Sequence, residues 1–219
     1  MIEKSKSVGC GLVGGGLLLA VGGLTHPRGR GDTKDEYLGS MLDQGSWAVS
    51  HLASCLGLVV VAASYVIAFR GGTFGPKARG WLVAAAVGAG LAAGELMPHL
   101  AAASEHDDLV SGGATPILDA HLLMQTLATP ALGLTTAALA VVIARSTGTV
   151  TSRVLAVVAV VCGIAYALAG PLVVLTDGVR FAVLFPAQAG IATWYLGTGL
   201  GLLAAKRATA QLEATGVRR

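Results

Sequence analysis

The chain has 219 residues, 54% of them hydrophobic and 12% charged, with a formal net charge of +3. So large an apolar excess leaves too little polar surface to cover a water-soluble domain, and it suits a chain whose solvent is lipid. No basic stripe, nucleotide loop or paired-cysteine spacing is present, which excludes nucleic acid as a partner and a disulfide framework as the scaffold.

Six apolar stretches are long enough to span a bilayer, over residues 8–25, 47–69, 80–103, 118–144, 152–175 and 183–204. In hydrocarbon each backbone N–H and C=O must be satisfied inside its own segment, and no strand-like alternation is visible, so all six read as helices. The expected fold is an all-α membrane protein, a six-transmembrane-helix bundle forming one domain over residues 1–219. The first stretch follows Lys4 and Lys6 but lacks a clear small-residue cleavage site, so it reads as a retained span and not a removed signal. "SVGC" precedes the apolar core, which argues against lipidation of Cys10. Cys10, Cys55 and Cys162 read as small packing residues.

Charge placement orients the bundle. With the N-terminus inside, eleven of the 15 cationic residues fall on the cytoplasmic side, and only Arg28, Arg30, Lys34 and Arg180 fall on the other. Both termini are therefore expected in the cytoplasm. The acids sort the opposite way, and so do all five histidines, His26, His51, His99, His106 and His121. The positive-inside rule says nothing of histidine, so this clustering is a separate signal. High Ala, Gly, Val and Arg content points to a bacterial source, hence to the inner membrane.

The inner connections are short, whereas "HPRGRGDTKDEYLGSMLDQGS" and "SEHDDLVSGGATPILD" on the outer side are long and charged. The first two outer hairpins look like distant copies of each other. Each has a histidine where one helix leaves (His26, His99) and another one turn inside the next (His51, His121). The third outer connection, "LTDGVR", reads as a tight turn. Gly11-x-x-x-Gly15, Gly90-x-x-x-Gly94 and Gly197-x-x-x-Gly201 are expected to pack helices closely.

The feature that most needs a reason is "GELMPH", residues 94–99, at the end of the third span. Pro98 removes the N–H that would bond the Gly94 carbonyl, so a kink is expected there. Glu95 and His99 are four residues apart and share a face. Glu95 lies about 12 Å inside the outer end at 1.5 Å per residue. Glu95, His99, His51 and His121 can then meet at one point, with His26 at the rim.

Imidazoles plus a carboxylate suit a zinc, copper or iron ion, so His51, Glu95, His99, His121 and His26 are the candidate metal ligands. The expected role is a metal-dependent hydrolase or oxidoreductase acting on a hydrophobic, lipid-soluble substrate. Glu95 and Asp119 are the candidate catalytic groups, and Gln125, Asp107 and Asp108 the supporting ones. Three other readings use the same residues: b-type haem held by His51 and His121, a proton-coupled carrier, and a metal-free acid catalyst using Glu95. The carrier reading suffers because the inner half offers few polar residues. The bland readings are interfacial solvation for His26, His106 and the "TKDE" and "EHDD" runs, N-capping for Asp119, and an interfacial anchor for Trp47 and for Trp194 or Tyr195.

Overall fold

The computed structural model describes residues 2–214 and the side chains of residues 5–205. Arg218 and Arg219 lie outside the described residues, as do the side chains of Glu3, Lys4, Lys206, Arg207 and Glu213 on which the charge map also draws. The elements, all helical, run α1 (Ile2–Thr25), α2 (Lys34–Leu42), α3 (Trp47–Gly71), α4 (Arg79–Ala101), α5 (His106–Ser111), α6 (Pro116–Thr147), α7 (Val150–Thr176) and α8 (Gln188–Ala214), with three 3-10 segments between them.

Among the described residues, five helical stretches are long and apolar enough to cross a membrane: Ser5–Thr25, Trp47–Gly71, Pro76–Ser111, Pro116–Thr147 and Val150–Thr176. The sixth expected span differs. Val179–Ala187 form a 3-10 segment and not a tight turn followed by helix, and α8 starts only at Gln188. Pro186 lies inside that segment, two residues before α8, where its missing N–H removes an i→i−4 hydrogen bond.

The six long helices close a ring. α8 packs on α1, α1 on α3, α3 on α4, α4 on α6, α6 on α7, and α7 back on α8. The ring has the polarity of a lipid-solvated bundle. Val154, Val157, Val161, Ile164 and Leu168 of α7 face outward, while the interior is filled by Leu12, Leu82, Leu132 and Leu139 together with Ala85, Ala89, Ala140 and Ala159. Gly72 and Gly148 end α3 and α6 in the left-handed conformation, at φ 65° and 69°, which costs glycine nothing.

Close helix approach rests on glycine at specific points. A Cβ on Gly163 of α7 would lie 2.5 Å from the Gly133 carbonyl of α6, and a Cβ on Gly133 would collide with the Gly163 carbonyl in return. Gly15 and Gly57 are matched in the same way across α1 and α3, at 2.8 and 2.9 Å. The expected glycine motifs are only partly used. Gly11 and Gly15 are interfacial, but Gly90 and Gly94 of α4 and Gly201 of α8 have open space where a Cβ would go. The cysteines are free; Cys10 is exposed, Cys55 Sγ lies 3.6 Å from the Ala93 carbonyl, and Cys162 packs against Gly190.

The two long connections fold into a cap over one end of the ring, where α2 and α5 pack together. Leu38, Met41, Leu42, Trp47, Ala102, Leu118 and Leu122 form its apolar centre. "TKDE" is not a solvated loop. Thr33 Oγ1 accepts from the Glu36 N–H, and Glu36 Oε2 accepts from the Thr33 and Asp32 N–H groups, a reciprocal capping box that starts α2. Those donors, that of Thr33 above all, hold the Glu36 carboxyl below its usual range. Its capping contribution is therefore complete above the ordinary carboxylate range and is lost as pH falls through the lowered value. Lys34 Nζ pairs with Asp177 Oδ1 at 2.8 Å, tying the cap to the end of α7.

A Gly133→Ala variant is expected to lose about 1–3 kcal/mol through overpacking at the α6–α7 contact. Gly94→Ala, which meets nothing, is expected to stay within about 0.5 kcal/mol of the parent. Reversible unfolding of both in mixed detergent micelles checks this contrast.

Candidate functional site

All five expected ligands come together where the cap meets the ring. His26 follows the last turn of α1, His51 lies one turn into α3, Glu95 and His99 sit on the last turns of α4, and His121 lies in the second turn of α6. The α4 helix continues through Pro98 to Ala101, so Glu95 and His99 keep their i,i+4 relation and share a face. The ring centroids form a file: His26 to His51 4.9 Å, His51 to His99 4.2 Å, and His99 to His121 3.6 Å in a stacked pair. Each hairpin thus brings its own two histidines into contact.

The file runs from an exposed end to a buried one. His26 is exposed, whereas His51, His99 and His121 are buried, His121 at 1% exposure. Glu95, at 5%, is buried with them. Its Oε1 lies 2.5 Å from His121 Nδ1 and 3.5 Å from His99 Nδ1. Neither approach has the alignment of a hydrogen bond, and Glu95 Oε1, His99 Nδ1 and His121 Nδ1 are all buried without a hydrogen-bond partner. The three atoms are near one another without pointing at one another.

The other two imidazoles are held in defined tautomers. His51 Nδ1 is 2.6 Å from the Trp47 carbonyl and His26 Nδ1 is 2.7 Å from the Pro27 carbonyl. A carbonyl only accepts, so each Nδ1 carries the proton and each Nε2 carries a free lone pair. Nε2 of His51 is buried and unpartnered. Desolvation by its neighbours draws the His26 pKa below the ordinary histidine value; its hydrogen bond to Pro27 opposes the shift and His121 adds to it.

The donors divide into two overlapping sets, His26–His51–His99 and Glu95–His99–His121, and within each set one ligand atom per residue lies within 4.8 Å of the others. Neutral imidazoles with one carboxylate are the donors that divalent zinc, copper and iron take.

Other expected participants lie elsewhere. Asp119 is exposed and belongs to neither set; Asp107 and Asp108 are exposed on α5, with Asp107 3.2 Å from His106 Nδ1. Nor does Asp119 cap α6. Glu105, buried although it belongs to the "EHDD" run, accepts from the Ile117 and Leu118 N–H groups at 2.9 and 2.8 Å. Gln125 is buried one turn along from His121.

Trp47 is not an interfacial anchor. It is 3% exposed, its ring lies 4.1 Å from that of His51 and 4.8 Å from that of His99, and its carbonyl fixes the His51 tautomer. The i,i+4 spacing of Trp47 and His51 is the sequence signal that could have found it. The same indole lines a cavity of about 440 Å³ at the cap with Asp43, Gln44, Ser104 and Asp107. Trp194 and Tyr195 are likewise buried. Tyr195 joins Tyr65 and Thr136 in a polar group away from the cap, with 3.1 Å between the Thr136 and Tyr195 hydroxyls, so that part of the bundle is less apolar than expected.

Comparison with protein-family models, curated proteins and solved structures finds no match to this chain.

Glu105→Ala is expected to cost about 1–2 kcal/mol by uncapping α6, while Asp119→Ala stays within about 0.5 kcal/mol. Amide hydrogen exchange at the start of α6 reads the difference directly.

Proposed function

We propose that this chain is an integral membrane metalloprotein in which Glu95, His99 and His121 hold a zinc, copper or iron ion, with His51 and His26 as neighbouring donors outside that set. The observation that carries this is the convergence of three buried donor atoms, Glu95 Oε1, His99 Nδ1 and His121 Nδ1, that satisfy no hydrogen bond. A buried carboxylate and imidazole lone pairs left without partners are costly. A cation between them supplies one interaction that satisfies all three. The Nδ1–H donations from His51 and His26 to carbonyls are the outer contacts that orient metal-binding imidazoles.

Three protein ligands leave a fourth position for water or substrate, the arrangement that turns bound water into a nucleophile near neutral pH. The reaction we assign is therefore metal-dependent hydrolysis or oxidation of a hydrophobic substrate reaching the site from the lipid. Glu95 then acts as a ligand and not as a general base. We further infer six spans with α8 as the sixth, both termini in the cytoplasm of a bacterial inner membrane, and the capped end on the extracytoplasmic side. The excess of cationic residues in the α3–α4 and α6–α7 connections supports this orientation.

Haem has less support, because the His99 ring contacts both His51 and His121 and occupies the space a planar macrocycle would need between them. A proton-coupled carrier is favoured by one observation, the buried Tyr65, Tyr195 and Thr136 group.

Protein purified in detergent is expected to contain one zinc, copper or iron per chain by elemental analysis, lost in Glu95→Ala and in His99→Ala and kept in Asp119→Ala. A Soret band lost in His51→Ala and His121→Ala would instead assign haem. Well-folded protein with neither signature would leave the carrier and the metal-free acid catalyst.

A further inference from the structure

We propose that the two ligand sets are successive stations for a single cation, a loading station formed by His26, His51 and His99 and a resting station formed by Glu95, His99 and His121; this rests on the metal reading above. The sets share His99, and the ring file advances in short steps from an exposed residue to the most buried one.

Charge decides between one travelling ion and two resident ones. Two dications would face a single carboxylate, Glu95, because Asp119, Asp107 and Asp108 are exposed and outside both sets. Most of their charge would stay uncompensated in apolar surroundings. One dication beside Glu95 is largely balanced. The same carboxylate sets the direction of travel. The loading station offers three neutral imidazoles, whereas the resting station adds an anion in a low-dielectric site, where Coulomb attraction is strongest. His26 and His51 are prepared for capture, since both hold their Nδ1 protons on backbone carbonyls and leave Nε2 bare. His99, in ring contact with both His51 and His121, is the one ligand that need not release the ion as it passes inward.

The test mixes chelator-stripped, detergent-purified full-length protein with Co²⁺ in a stopped-flow cell. Visible d–d absorption reads both the rate of uptake and the final ligand field. Wild type is expected to take one Co²⁺ per chain. His26→Ala, at an exposed position outside any helix, is expected to reach the same occupancy and the same final spectrum but to load roughly tenfold more slowly. His26→Asn should behave likewise, which separates loss of the ligand from a packing defect. Glu95→Gln is expected to capture Co²⁺ at the wild-type rate and to release it to chelator at least about tenfold faster.

Loading of His26→Ala at the wild-type rate would overturn the proposal. So would a changed final spectrum in that variant, which would make His26 a permanent ligand, and so would two Co²⁺ per wild-type chain. Folded wild type that takes no Co²⁺ at all overturns the metal reading itself, a failure distinct from the other three.

Discussion

The position of one carboxylate organises the capped end of this protein. Glu95 lies inside an apolar ring, where an unpaired acid at the centre of a span costs on the order of 3 kcal/mol to insert. Its immediate neighbours are His99 and His121 and not another carboxylate or a lysine. An imidazole can offer a lone pair or a proton at little cost, so the group is tolerated either neutral or gathered around a cation. The rest of the site follows from keeping that group dry and in register. Trp47 walls off His51 and His99, the cap covers the end of the ring, and Glu105 fixes the start of α6 about one turn before His121.

The scaffold that holds the carboxylate mixes large buried side chains with alanine and glycine at the closest helix contacts. Leu12, Leu19, Leu82, Leu132 and Tyr195 are buried among the alanines of the core, and at a few glycines the helices come closer than side chains would allow. At Gly133–Gly163 and Gly15–Gly57 the main chains are nearly in contact, which leaves little freedom for the helices to slide. Side chains attached to such a frame are pre-positioned, so a ligand of Glu95, His99 and His121 would be bound with little cost of reordering. The loops add a second constraint. The capping box at Thr33 and Glu36 and the ion pair between Lys34 and Asp177 hold α2 against the end of the ring.

Much of this was legible in the residues. Apolar length marked the five helical stretches long enough to cross a membrane, and the i,i+4 relation of Glu95 and His99, with histidines at matching depths on the neighbouring helices, pointed to one meeting place. What escaped had physical reasons. Periodicity does not say which of two faces a helix turns inward, and Gly90 and Gly94 face open space although their spacing suits a packing motif. Glu105 and Asp119 are both acids near a helix start. Only the fold brings the sequence-distant one to the Ile117 and Leu118 amides and leaves the local one in solvent. Tryptophan near a helix start has the habit of an interfacial anchor, and only the i,i+4 spacing to His51 points Trp47 inward. "TKDE" had the spacing of a capping box, and its charge hid it among loop residues. The late start of α8 goes with Pro186, whose missing N–H interrupts the i→i−4 ladder inside an otherwise apolar run.

The most direct test of the account is X-ray absorption at the zinc edge, on zinc-loaded protein in lipid nanodiscs. The expected first shell contains about four nitrogen and oxygen scatterers at roughly 2.0–2.1 Å, with the outer-shell pattern of two or more imidazoles. A shell with sulfur at about 2.3 Å, or one of oxygens alone without imidazole scattering, would contradict a site built from Glu95, His99 and His121.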